Sequence, residues 1–151
     1  MANLVRKFLS KQDLMDVETA IKEAETRTAG EIRVAIRQKR SKKEKLLTVE
    51  QLARHEFVHL GMMKTVDRTG ILIFLLLEAK EFFILADEHI NQKVAPRSWD
   101  SVAEAMAGRF AKKEFRQGLL DAVRSLGEHL AAHFPAKAGD KNELSNKVDI
   151  S

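Results

Sequence analysis

Between Thr69 and Glu88 the chain reads TGILIFLLLEAKEFFILADE. Ile71 to Leu77 is unbroken apolar sequence, Glu78 interrupts it before Ala79, and after a short polar turn Phe82 to Ala86 is apolar again. Apolar runs of this length bounded by polar residues read as a buried strand, a turn and a partner strand. This predicts strands near 70–78 and 81–86. Upstream, Glu31 to Arg37 alternates, with Ile32, Val34 and Ile36 on one face and Arg33, Ala35 and Arg37 on the other. A period of two predicts a strand with one wetter face, near a sheet edge.

The other segments repeat at helical spacing. Ser10 with Asp13 three residues on is a capping-box start. Leu14, Val17, Ile21 and Ala24 then mark one helical face, and Gly30 is the stop. Thr48 with Gln51 opens a second helix, expected to run to about Met63, with Val49, Ala53, Phe57 and Leu60 facing the core and Leu52 and Met63 beside them. Pro96, Ser98 or Asp100 can start a third helix through Trp99, Val102, Met106 and Phe110. After a break at Ala111 to Lys113, a fourth carries Phe115, Leu119, Ala122, Leu126 and Leu130 up to Phe134-Pro135. Gly118 and Gly127 lie on or beside that stripe, where close packing on the sheet accounts for them.

The order helix, strand, helix, strand, strand, helix, helix gives an α/β fold. A right-handed crossover makes the first two strands parallel, and the hairpin adds an antiparallel third. We expect a three-layer α/β/α sandwich whose small mixed sheet is flanked by about four helices. Residues 1–135 form the domain. Residues 136–151 form a polar tail, either flexible or laid over the surface as a strap held by Leu144 and Ile150.

Composition changes this picture little. The chain has 151 residues, 44% hydrophobic and 32% charged, and a formal net charge of +4. That is one soluble domain large enough to bury a core, with only weak electrostatic steering of partners. The absence of cysteine excludes disulfides and thiolate metal sites. No apolar run approaches a membrane span, and the N-terminus lacks a signal-peptide core. The simplest location is the cytoplasm.

Two motifs invite a chemical reading. Six of the nine residues from Arg37 to Lys45 are basic. With no aromatic residue interleaved for base stacking, a solvated, mobile loop accounts for them better than a nucleic-acid site. His55-Glu56-Phe57-Val58-His59 matches HExxH, in which two histidines share zinc and the glutamate is the general base. The helix's own pattern opposes that role. His55 falls toward the polar side, Glu56 toward the apolar side, and no third ligand is placed nearby, so no tightly bound zinc is expected.

Several phrases together resemble the TPM domain family, which includes a thylakoid lumen protein linked to photosystem II repair. They are TAGEIRVAI, LGMMKTVDRTGILIFLLL, FFILADEHI and the pattern FxxxxFxxGLLxAVxxLGxHLxxHFP, spanning about residues 8–135, with NEL at 142–144 beyond. Weak phosphatase activity and calcium binding are attributed to some members. The resemblance directs attention to one end of the sheet, where Asp67 and Arg68 precede the second strand and Asp87 and Glu88 follow the third. It implies a divalent-cation site, such as calcium, at Asp67, Asp87 and Glu88. Relatives read Gly-Asp-x-Gly-Ile where this chain has Ala86-Asp87-Glu88-His89-Ile90. Side chains replace glycines that would let backbone approach a ligand. The implied function is a non-catalytic interaction or accessory protein, with a protein partner and at most weak cation binding. The alternatives are a weak metal-assisted acid phosphatase and, behind it, a zinc hydrolase at His55, Glu56 and His59.

Overall fold

The computed structural model describes residues 3–64, 68–95, 97–137 and 145–151. Its elements run α1 (Asn3–Arg6), α2 (Lys11–Glu25), β1 (Glu31–Arg37), α3 (Val49–His59), β2 (Gly70–Leu76), β3 (Glu81–Ala86), α4 (Glu88–Lys93), α5 (Ser98–Ala111), α6 (Phe115–His133) and β4 (Asp149–Ile150). The strands form one sheet in the order β3-β2-β1-β4. β1 pairs parallel to β2, with Glu31 opposite Gly70, and β2 pairs antiparallel to β3, with Ile71 opposite Ala86. Helices cover both faces of this mixed sheet, as expected of an α/β/α sandwich.

Strand periodicity divides the core. Ile32, Val34 and Ile36 of β1 and Ile71, Ile73 and Leu75 of β2 face a large cluster built with α2, α5 and α6. Ala35, Leu72, Phe74 and Leu76 face the smaller cluster under α3, formed by Leu52, Ala53 and Phe57 with Met62. β2 is buried along its whole length, which is why it reads as continuous apolar sequence rather than as an alternation.

The two capping boxes form as the sequence indicates. Ser10 N–H donates to Asp13 Oδ2 at 2.8 Å while Asp13 N–H donates to Ser10 Oγ at 3.0 Å. Thr48 and Gln51 make the same exchange at 2.9 and 3.1 Å. Other expectations are corrected. α3 ends at His59 rather than near Met63, because Gly61 adopts φ +73° and ends the helix in the left-handed region. Met62 is therefore the buried methionine, and Met63 is exposed. The glycines of α6 serve helix contacts rather than the sheet. A Cβ on Gly127 would stand 2.8 Å from Ala24 Cβ of α2, and one on Gly118 would stand 2.7 Å from the Phe110 ring of α5.

Three elements carry no expectation from periodicity. α1 and the turn after it bury Val5 and Leu9. α4 starts directly at Asp87, whose carboxylate accepts from Glu88 N–H. β4 lies parallel to β1, Ala35 opposite Asp149 and Ile36 opposite Ile150. Its bonds are closed by Ser151 N–H to Ile36 O at 2.9 Å and Gln38 N–H to Ser151 O at 3.0 Å. The tail end is thus held by backbone pairing and by Val148 against the core, with Ile150 exposed. Pro96 and Leu144 lie outside the described residues.

Candidate functional site

At the end of the sheet where β1 and β2 begin, Glu31 N–H donates to Thr69 O at 3.1 Å and Asp87 N–H donates to Gly70 O at 2.8 Å. Glu31, Gly70 and Asp87 therefore stand in a row across three strands. The spacing of strands puts the outer two roughly 10 Å apart in backbone.

Asp87 is buried and densely bonded. Arg68 donates from Nε to Oδ1 and Oδ2 at 3.2 and 3.0 Å and from Nη2 to Oδ1 at 3.0 Å, and Glu88 N–H adds 2.7 Å to Oδ1. Arg68 reaches this position from a left-handed backbone, φ +54°. Its proton is held more tightly than usual by the Asp87 carboxylate. Nearby, Lys93 sits over the Phe134 ring at 5.4 Å. Glu88 is exposed, and Asp67 lies outside the described residues. No group of three His, Asp or Glu side chains among the described residues is placed to hold a metal ion.

The same end contains a buried acid pair that sequence reasoning missed. Glu25, at the last turn of α2, accepts Ile32 N–H at 2.7 Å through Oε2. Its other oxygen is buried with no hydrogen-bond donor. Burial pushes the Glu25 carboxyl up to about 8, and the neighbouring Glu31, itself only 2% exposed, adds to the rise. Half-buried Glu25 beside buried Glu31 thus keeps a proton through neutral pH, shared across the pair. The loop that joins them is closed by Thr28, whose hydroxyl donates to Phe134 O at 2.5 Å and accepts from Gly30 N–H at 2.9 Å. The available signals were a glutamate at the first strand position and another at the helix end. Their proximity depends on this tertiary closure.

On the α3 face, the HExxH residues separate. His55 and His59 are exposed, whereas Glu56 is 6% exposed and lies 3.9 Å from Arg37. Burial raises the Glu56 carboxyl, and Asp149 of β4 beside it raises it further. The glutamate that would serve as general base is thus occupied by the sheet and the chain's C-terminal strand.

The lysines of the basic segment are exposed, as a solvated loop requires, but its arginines are bonded to the fold. Arg37 clamps Glu44 at 2.6 and 3.2 Å, and Arg40 donates to Leu47 O at 2.9 Å and to Glu81 at 3.3 Å. Ser41 N–H donates to Glu44 Oε1 at 2.8 Å over a 3-10 turn at 42–44. The Arg37 guanidinium holds Glu44 down at about 2. Ser41-Lys-Lys-Glu44 is itself the capping signature that could have revealed this turn. No helix among the described residues is long and apolar enough to cross a membrane.

Among curated proteins none matches the chain. Among solved structures, the NMR structure of BA42 from the psychrophilic bacterium Bizionia argentinensis is 33% identical, covers 95% of this chain and 96% of its own, and superposes with a TM-score of 0.86. The N-terminal domain of cg2496 from Corynebacterium glutamicum shares the fold at 12% identity, with coverage of 93% and 79% and a TM-score of 0.60. The N-terminal domain of a P. gingivalis protein shares it at 16% identity, with coverage of 84% and 79% and a TM-score of 0.62. The TPM domain profile matches residues 5–129, a span that takes in the β1–β2–β3 sheet, its acidic end and nearly all of α6, and with that match the chain belongs to the TPM domain family.

Proposed function

We propose that this TPM-domain chain is a non-catalytic interaction or accessory protein that binds a divalent cation at most weakly, near Asp67, Asp87 and Glu88. The observation that carries the reading is the state of Asp87. Its carboxylate already takes three contacts from Arg68 and one from Glu88 N–H. A hard cation takes six to eight oxygen ligands, so calcium here has to displace a bidentate guanidinium. A metal-assisted phosphatase would need the same carboxylate free. Protein association suits β3, whose outer edge pairs with no strand among the described residues and whose Phe82, Phe83 and Ile84 are half-buried. Such an edge accepts an added strand.

Calcium titration followed by amide NMR tests this. The expected result is weak, fast-exchange shifts centred on residues 66–68 and 86–90. Tight calcium binding, or hydrolysis of p-nitrophenyl phosphate that needs a divalent metal and disappears in Asp87→Asn, overturns it.

A further inference from the structure

At the opposite end of the sheet, about 20 Å from Asp87 by the rise of a seven-residue strand, α1, the β2–β3 turn and the α5–α6 junction surround a cleft of about 580 Å³. That volume lies in the range of small-molecule sites. Its wall is aromatic. Phe8 meets Phe115 at 4.8 Å between ring centres, Phe115 meets Phe110 at 5.5 Å, and Phe110 meets Phe82 at 5.8 Å. All four rings are only half-buried, so each leaves part of its surface toward the cleft.

The rim is cationic. Lys7, Lys80 and Lys113 come from three separate elements, line the same cleft and are exposed. None of the three enters an ion pair among the described residues, and Glu81 beside them is engaged by Arg40 at 3.3 Å. Two of these lysines sit in backbone that disfavours them: Lys80 has φ +54° and Lys113 φ +64°. Glycine or asparagine is the ordinary occupant of such positions. Lysine at both, on the rim of one cleft, brings ammonium groups to an apolar cavity at a local backbone cost.

We propose that this cleft binds an amphipathic carboxylate, its hydrocarbon body seated on the four phenylalanine rings and its carboxylate facing Lys7, Lys80 and Lys113. The site is independent of the acidic end and of the function proposed there. An apolar body supplies the burial, and the ammonium groups select a terminal anion over a neutral head.

The test uses decanoate on the full chain, with decanol as the neutral control and the double variant Lys80→Gly/Lys113→Gly. Glycine suits both backbone positions, so the variant folds at least as well as the parent, and lost binding reports the side chains alone. We expect saturable NMR shifts at Phe8, Phe82, Phe110 and Phe115. We expect binding weaker by roughly tenfold or more both for decanol and in the double variant, as loss of charge-assisted contacts implies. A Phe110→Leu variant, which keeps an apolar side chain, should also weaken decanoate. Absence of saturable shifts, shifts centred elsewhere, or equal affinity for decanoate and decanol with the double variant unaffected overturns the proposal.

Discussion

Replacing Glu25 with glutamine isolates the buried acid pair. In the folded chain the Glu25 carboxyl titrates at about 8, against an ordinary 4.5. Between those values the folded protein keeps a proton that the unfolded chain has released. Stability therefore falls as pH rises through this window, and is flat below it and above it. Each pH unit is worth roughly 1.4 kcal/mol, which sets a ceiling of about 5 kcal/mol over the window. Glu25 is only half-buried, and solvent screening reduces the effect to about 2 kcal/mol. Glutamine preserves the acceptor for Ile32 N–H and offers Glu31 a permanent donor. Glu25→Gln should thus match the parent near pH 5 and exceed it by about 2 kcal/mol at pH 9, roughly 4–8 °C in Tm for a chain of this length. Glu44, held down at about 2, finishes titrating below the window and does not contribute to it. Glu56 is raised by its own burial and slopes in the same direction in both proteins, so the parent-to-variant difference belongs to Glu25. Urea unfolding at pH 5, 7 and 9 reads it. If the parent is equally stable at pH 5 and 9, or if the variant keeps the parent's slope, the shared-proton account is wrong.

Three further outcomes follow from the packing. Gly127→Ala places a Cβ 2.8 Å from Ala24 Cβ; the helix-propensity gain of about 1 kcal/mol is outweighed by the clash, for a net loss of about 1–2 kcal/mol in denaturant unfolding. Arg37→Ala releases Glu44, whose carboxyl should climb from about 2 toward the ordinary range in an NMR pH titration, with a stability loss of about 1–3 kcal/mol from the broken charged contacts. Elemental analysis of tag-free protein should find zinc well below stoichiometric, and stoichiometric zinc that is lost in His55→Ala would restore the HExxH reading.

Periodicity made the sheet and its long helices legible. β2 is buried on both faces and reads as an apolar run, while β1 alternates because half-buried Arg33 and Arg37 share a face with buried Glu31 and Ala35. The same helical geometry placed Glu56 inward and His55 outward. Short elements carry too few residues to show a period. α4 spans six residues, Glu88–Lys93, and β4 only two, Asp149–Ile150. What fixes α4 is the local Asp87 cap on Glu88 N–H, and what fixes β4 is its tertiary register with Ala35 and Ile36. The partners of the buried acids were hidden for a related reason. Asp149 meets Glu56 only because β4 returns to β1, and Glu25 meets Glu31 only because Thr28 closes the loop onto Phe134. At Asp87 the residue could be singled out from sequence, but its engagement by Arg68 depends on that arginine's left-handed backbone.

The formal net charge of +4 is a poor guide to what this surface attracts, because the fold sorts charge along the strands. Glu25, Glu31, Asp87 and Glu88 gather where β1 and β2 begin, where strand and helix N–H groups point outward and carboxylates can accept them. Arg37, Arg40, Lys7 and Lys80 gather at the other end. The two ends lie about two Debye lengths apart at physiological salt, so each presents its own field to solvent. A modest total thus conceals an end whose acids are already engaged, Asp87 by Arg68 and Glu25 by its own proton, and another where cationic side chains from separate segments converge. Calcium and decanoate consequently probe separate regions of the same molecule, and a response to one titrant carries no implication for the other.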